Sequence, residues 1–203
     1  MERHIVLLGD SVFDNAAYVP GEHSVIDHLR AISPREWSVT LLAVDGDVTD
    51  DVVQQLELLP ADATDLVVSV GGNDALQHAG LLEQANSVED LAELLAEVLP
   101  QFRERYATML DAVEGTGRAV VVCTVYDQCP FPNSEWRELV PLALAGFNEC
   151  ILEEAEGRAM ASIDLCEICT DPEDYSSLSP IEPSSIGGSK IAAVILRTLS
   201  EWR

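Results

Sequence analysis

Positive charge is what this chain has least of. Eleven lysines and arginines stand against 36 aspartates and glutamates, and Lys190 is the single lysine, so the formal net charge is −25. Nucleic-acid backbones are bound by Lys and Arg that displace counterions, and anionic membrane surfaces attract the same side chains, so neither is expected as a partner. Such a surface repels itself, stays soluble and suits concentrated salt. No apolar run approaches the ~18 residues that span a bilayer. The apolar stretch behind the N-terminus, residues 5–9, is too short for a secretory signal, and a cytoplasmic protein is expected. Five cysteines, an odd number, read as reduced thiols and not as a bridge framework. Cys166 and Cys169 form a C-x-x-C pair, yet no second pair and no nearby histidine joins them, so buried thiols are expected there and not zinc. The acids Asp45, Asp47, Asp50 and Asp51 lack EF-hand spacing and read as a solvated face. No cofactor or metal is expected.

What is present is enough for one domain: 203 residues, 47% of them apolar although only 5% are aromatic. Short β-rich runs at 5–8, 38–44, 66–70, 119–125 and 161–165 alternate with helical patterns at 24–32, 49–59, 87–113, 134–156 and 186–202, with Pro100 as a break or kink. Continuous Val, Ile and Leu strands, each followed by a helix, predict a parallel sheet covered on both faces, a three-layer α/β/α domain. Pro and Gly cluster at 126–133 and 171–188, after the last two strands. Ligands bind open α/β sheets at that edge, so these loops are candidate site segments.

Three further segments follow predicted strands. Gly9-Asp10-Ser11 would put a serine hydroxyl on the turn out of the first strand, or would merely cap a helix. Ala43-Val44-Asp45-Gly46-Asp47 follows the second and is by itself an ordinary turn, and Gly71-Gly72-Asn73-Asp74 follows the third, where an Asn is often only a turn residue. Together they would bring a hydroxyl nucleophile, a Gly N–H and an Asn amide to one edge of one sheet, a set suited to attack on an acyl carbon and to holding the oxyanion.

On these residues the chain resembles the SGNH (GDSL) hydrolases, esterases and lipases of flavodoxin-like fold. The family's first block is similar to Ile5-Val6-Leu7-Leu8-Gly9-Asp10-Ser11, its second to Asp45-Gly46-Asp47-Val48-Thr49 and its third to Val70-Gly71-Gly72-Asn73-Asp74, with order and spacing fitting from residue 5 to about 195. The resemblance implies a five-stranded parallel sheet, Ser11 as nucleophile, and an oxyanion hole made by the N–H groups of Ser11 and Gly46 with the Asn73 amide. The fourth block departs from the pattern. Family members carry an Asp and a His three residues apart before the last helix; here Ser179 stands in place of the Asp and Glu182 in place of the His, and no histidine follows His78.

Glu182 therefore has two readings. It is a base whose carboxyl burial or a second carboxylate raises toward neutrality, in the manner of the Ser, Glu and Asp constellation of sedolisin-type peptidases, with Asp174 or Asp171 as its partner. Alternatively, it is a carboxylate near the N–H groups that open the last helix. His78 is an alternative base, whereas His4, His23 and His28 read as surface residues. Asp14 and Asn15 are expected to cap the turn after Ser11. Tyr126, Cys129, Phe131 and Trp136 either wall an apolar acyl pocket or only pack their loop. The expected function is hydrolysis of small carboxylic esters through an acyl-enzyme at Ser11. The competing expectation is an impaired relative that binds a carboxylate or acetylated ligand. Oligomeric state is not legible in the sequence.

Overall fold

All five expected strands form, and they pair in parallel in the order β2-β1-β3-β4-β5. The structure is a computed structural model that describes residues 2–85, 87–131 and 134–201, the side chains of 83 and 134–137 excepted. The strands are β1 (Arg3–Gly9), β2 (Trp37–Leu41), β3 (Asp65–Ser69), β4 (Ala119–Cys123) and β5 (Ala161–Ile163). Strand β1 lies second in the sheet, with Val6 beside Thr40 on one flank and Leu66 on the other.

The sheet's alternation builds two cores. Ile5, Leu7, Val67 and Val121 face one side, where α1 (Val25–Ile32) and α7 (Ser185–Glu201) cover them. Val6, Leu8, Leu66, Val68, Val120 and Val122 face the other, under α2 (Val52–Leu56), α5 (Val88–Glu114) and α6 (Ser134–Gly157). Successive strand residues point to opposite faces, so a strand buried on both reads as an unbroken apolar run. The three-layer α/β/α architecture is as expected.

The helix boundaries differ in instructive places. Ser24 opens α1 with a capping box to Asp27, as its position suggests. Helix α5 runs through Pro100 without interruption. The pattern expected over 49–59 divides into a 3-10 turn, Thr49–Asp51, and the five-residue α2. Two short helices, α3 (Gly72–Leu76) and α4 (Gly80–Gln84), occupy a stretch for which no element is expected from the sequence. Strands β2 and β5 end earlier than expected, releasing residues 42–48 and 164 onward as the loops at the carboxyl edge.

Candidate active site

Ser11 lies just past the carboxyl end of β1. Gly9 leaves the strand with φ +122°, and a Cβ there would lie 1.8 Å from the Ser69 carbonyl oxygen, so only glycine lets β1 approach β3 this closely. Asp10 N–H then donates to that same oxygen at 3.0 Å, and the Asp10 carboxylate accepts the Val12 N–H at 3.1 Å, turning the chain so that Ser11 faces the edge. The buried Gln55 of α2 fixes Gly9 from below, accepting its N–H at 2.8 Å and donating to its carbonyl at 2.7 Å. Gln55 is a supporting residue that the sequence motifs do not reveal, because a glutamine eight residues beyond Asp47 carries no local pattern.

The second and third loops are tied to the first and to each other. Val44 N–H donates to the Gly9 carbonyl at 3.1 Å, and Gly46, φ +90°, sits in the turn closed by Asp47 N–H on the Val44 carbonyl at 3.1 Å. Asn73, at the start of α3, donates one amide hydrogen to the Asp47 carbonyl at 2.9 Å and keeps a second. The fully buried Asp74 accepts the N–H and hydroxyl of Thr49 at 3.0 and 2.9 Å. Among the described residues, the N–H groups of Ser11 and Gly46 have no hydrogen-bond acceptor. Two unpaired N–H donors and a half-used amide are what a developing oxyanion requires.

Glu182 meets Ser11. The Ser11 hydroxyl donates to Glu182 Oε1 at 3.0 Å, with both residues buried. The N–H groups at the start of α7 are taken by Ser184, whose hydroxyl accepts from Ile186 and Gly187, so Glu182 does not serve as the helix-start carboxylate. Burial pushes the Glu182 carboxyl up to about 7; the Ser11 hydrogen bond lowers it and the Asp45 charge raises it. Asp10, beside the same site, is pushed up to about 8, chiefly by burial, with the Glu182 and Asp74 charges adding to the rise and the Val12 N–H opposing it.

Two expected partners of Glu182 do other work, which corrects the sequence reading. Asp174 is fully buried, but its Oδ2 accepts from Lys190 Nζ at 2.8 Å and from the Asp171 N–H at 3.0 Å. Asp171 is likewise drawn to Lys190, at 3.3 Å. A lysine on the first turns of α7 outcompetes a second acid as a partner for these carboxylates, because like charges repel. Ser179 contributes its carbonyl, which accepts the Glu182 N–H at 3.2 Å, and Glu182 Oε2 has no hydrogen-bond partner among the described residues. His78 is half-buried just past α3 and lines the cavity beside Ser11, but the hydroxyl of Ser11 is directed to Glu182. Asp14 accepts the Asp45 N–H at 3.1 Å, and Asn15 accepts the Val25 N–H at 2.9 Å, so both brace neighbouring loops and neither caps its own turn.

A cavity of about 100 Å³ opens at Ser11, well above the roughly 10–15 Å³ that one water needs. Asp10, Ser11, Asn73 and Glu182 mark its polar end. Leu82 of α4, Leu91 and Leu95 of α5, and Leu144 and Phe147 of α6 form its apolar wall, with Tyr126, Cys129 and Phe131 alongside. The Trp136 side chain expected there lies outside the described residues. All five cysteines are free thiols, and no metal-ligating cluster occurs among the described residues. No helix among them is long and apolar enough to cross a membrane.

Residues 7–186, from inside β1 to the first turn of α7, match the GDSL-like lipase/acylhydrolase family. The chain belongs to that family. No curated protein matches it. Solved structures of similar fold include an extracellular lipase from Streptomyces rimosus, 18% identical with TM-score 0.70, covering 99% of this chain and 100% of that one. A psychrotrophic esterase, EstA, from a Pseudoalteromonas species is 13% identical with TM-score 0.68, at 98% of each chain. Phospholipase A1 from Streptomyces albidoflavus NA297 is 19% identical with TM-score 0.68, at 99% of each. At these identities the likeness is one of fold, and the five-stranded α/β/α domain is the GDSL-like one.

Proposed function

We propose that this chain is a serine ester hydrolase in which Ser11 attacks the acyl carbon and Glu182 is the general base. The observation that carries the proposal is the 3.0 Å hydrogen bond from the Ser11 hydroxyl to Glu182 Oε1. Glu182 takes the hydroxyl proton as the Ser11 oxygen forms its bond to the carbonyl carbon. The N–H groups of Ser11 and Gly46 and the free amide hydrogen of Asn73 receive the oxyanion. Protonated Glu182 then returns its proton to the departing alkoxide, leaving the acyl-enzyme. A water repeats the sequence, giving up a proton to Glu182, and the acid leaves as Ser11 is reprotonated.

Replacing an imidazole base by a carboxylate costs about two pK units of basicity, or about 3 kcal/mol of driving force. Burial offsets that loss, since Glu182 is pushed up to about 7. The binding-only alternative is disfavoured for carboxylate ligands: the cavity presents two acids and, among the described residues, no Lys or Arg to receive an anion. Small uncharged carboxylic esters fit this lining.

Hydrolysis of short p-nitrophenyl esters by the wild type and by Ser11→Ala, together with labelling by a fluorophosphonate, tests the proposal. Turnover and labelling that vanish in Ser11→Ala support it. A folded wild type that neither hydrolyses any such ester nor takes the label would leave only a ligand-binding role.

A further inference from the structure

A histidine base has a second ring nitrogen, by which a neighbouring carboxylate fixes its orientation. A glutamate has no such handle, and a long side chain left free would lose its alignment on Ser11. Ser179 does not supply the missing restraint, since it meets Glu182 only through a backbone hydrogen bond of 3.2 Å.

The restraint is instead on the main chain. Three successive carbonyls around Glu182 are each held from another segment. The Tyr126 hydroxyl donates to the Ile181 carbonyl at 2.7 Å, the Ser176 N–H to the Glu182 carbonyl at 2.8 Å, and Asn15 Nδ2 to the Pro183 carbonyl at 3.0 Å. The two side-chain clamps are themselves buried and held by further contacts. Asn15 is 0% exposed and its amide is fixed at the other end by the Val25 N–H. Tyr126 is 3% exposed, and its ring packs edge-on against Tyr175 with centroids 5.3 Å apart. Asn15 follows Ser11 by four residues, and Tyr126 lies just past β4, so the clamps connect the base to the nucleophile's own turn and to the sheet edge.

We infer that Tyr126 and Asn15 are positioning residues that hold Glu182 on Ser11, replacing through the backbone the restraint that the family's Asp exerts on its His. The inference rests on the reading of Glu182 as the base. A buried hydroxyl could instead serve only the stability of its loop, and the two roles differ in what they move.

Tyr126→Phe removes one oxygen atom and keeps the ring. With the clamp gone Glu182 drifts from Ser11, so kcat should fall about tenfold or more per folded molecule with KM within about twofold. Loss of the Ser11 hydrogen bond, which lowers the Glu182 carboxyl, should also move the acid limb of the rate profile to higher pH. In a Glu182→Gln background the same change should cost nothing further, since there is no base left to align. Asn15→Ala is an independent arm with the same expected rise in the acid limb, should Tyr126→Phe fold poorly. An unmoved acid limb in both variants, or an equal loss from Tyr126→Phe with and without Glu182, overturns the inference. Full activity of Glu182→Gln alone would instead overturn the reading of the base.

Discussion

Lys190, the chain's single lysine, closes to 2.8 Å on Oδ2 of Asp174, a carboxylate buried without any exposure of its own. That pairing removes Asp174 from the catalytic apparatus and makes it part of the frame. Its carbonyl receives the Ser184 N–H at 2.8 Å, and Gly187 packs so closely that a Cβ would lie 2.2 Å from the same oxygen. The loop bearing Glu182 is thus fastened to α7 immediately after it.

Lys190→Met keeps the aliphatic stem and removes the charge that Asp174 depends on. Asp174 Oδ1 already has no hydrogen-bond partner among the described residues and Oδ2 would keep only the Asp171 N–H, so a buried carboxylate stripped of its counter-charge should cost about 1–3 kcal/mol. A thermal midpoint lower by about 2–4 °C or more checks it, and an unchanged midpoint would show that the pair is idle.

Glu182→Gln should leave the fold intact and lower kcat about 10²–10⁴-fold, the usual worth of a general base. In the wild type, activity should rise with pH through the ionisation of Glu182, with the midpoint of the acid limb near its value of about 7. Asp45→Asn, which removes a charge that raises that carboxyl, should move the limb to lower pH. Glu182→His should rescue poorly, and Glu182→His with Ser179→Asp better, because the imidazole then regains an orienting carboxylate. Rates measured on p-nitrophenyl acetate from pH 4 to 9 resolve all four.

Asn73→Ala should cost about 10²–10³ in kcat, the loss typical of one oxyanion donor. Its hydrogen bond to the Asp47 carbonyl also steadies the Gly46 loop, so the loss should sit at the upper end of that range. Equal kcat in the variant and the wild type would remove Asn73 from the site.

Asp10 supplies a test by stability. Its carboxyl has the ordinary aspartate value of 3.8 when unfolded and is pushed up to about 8 by burial in the folded chain. Between those values the folded chain holds the extra proton, so Asp10's contribution is fully present below pH 4 and is lost as pH rises through about 8. Asp10→Asn, whose amide oxygen can still accept the Val12 N–H, should melt higher than the wild type at pH 8.5 and nearly equal to it at pH 4. A constant difference across that range would contradict the shift.

Self-repulsion among 36 acids should make the thermal midpoint rise as salt increases from 0.01 M to 0.1 M, where screening lengths fall from ~30 Å to ~10 Å. A midpoint that stays flat or falls over that range would show the surface charges to be too dispersed to matter.

The architecture and the chain's family likeness were legible in the sequence because both are written locally. Unbroken apolar runs such as Ile5–Leu8 mark strands buried on two faces, and Gly9, Gly46 and Gly71 mark the turns where those strands end. Helices α3 and α4, five residues each, are too short to show a helical period, and so they were not legible. The partners of the acids in the last loop were not legible either. Asp171, Asp174 and Glu182 are chemically alike in the sequence, and only the crossing of segments at the sheet edge gives Lys190 to the first two and Ser11, 171 residues away, to the third. A contact over that separation is decided by how β1, β4 and α7 pack, which no local pattern records, and the same packing sets the burial that raises the Glu182 carboxyl.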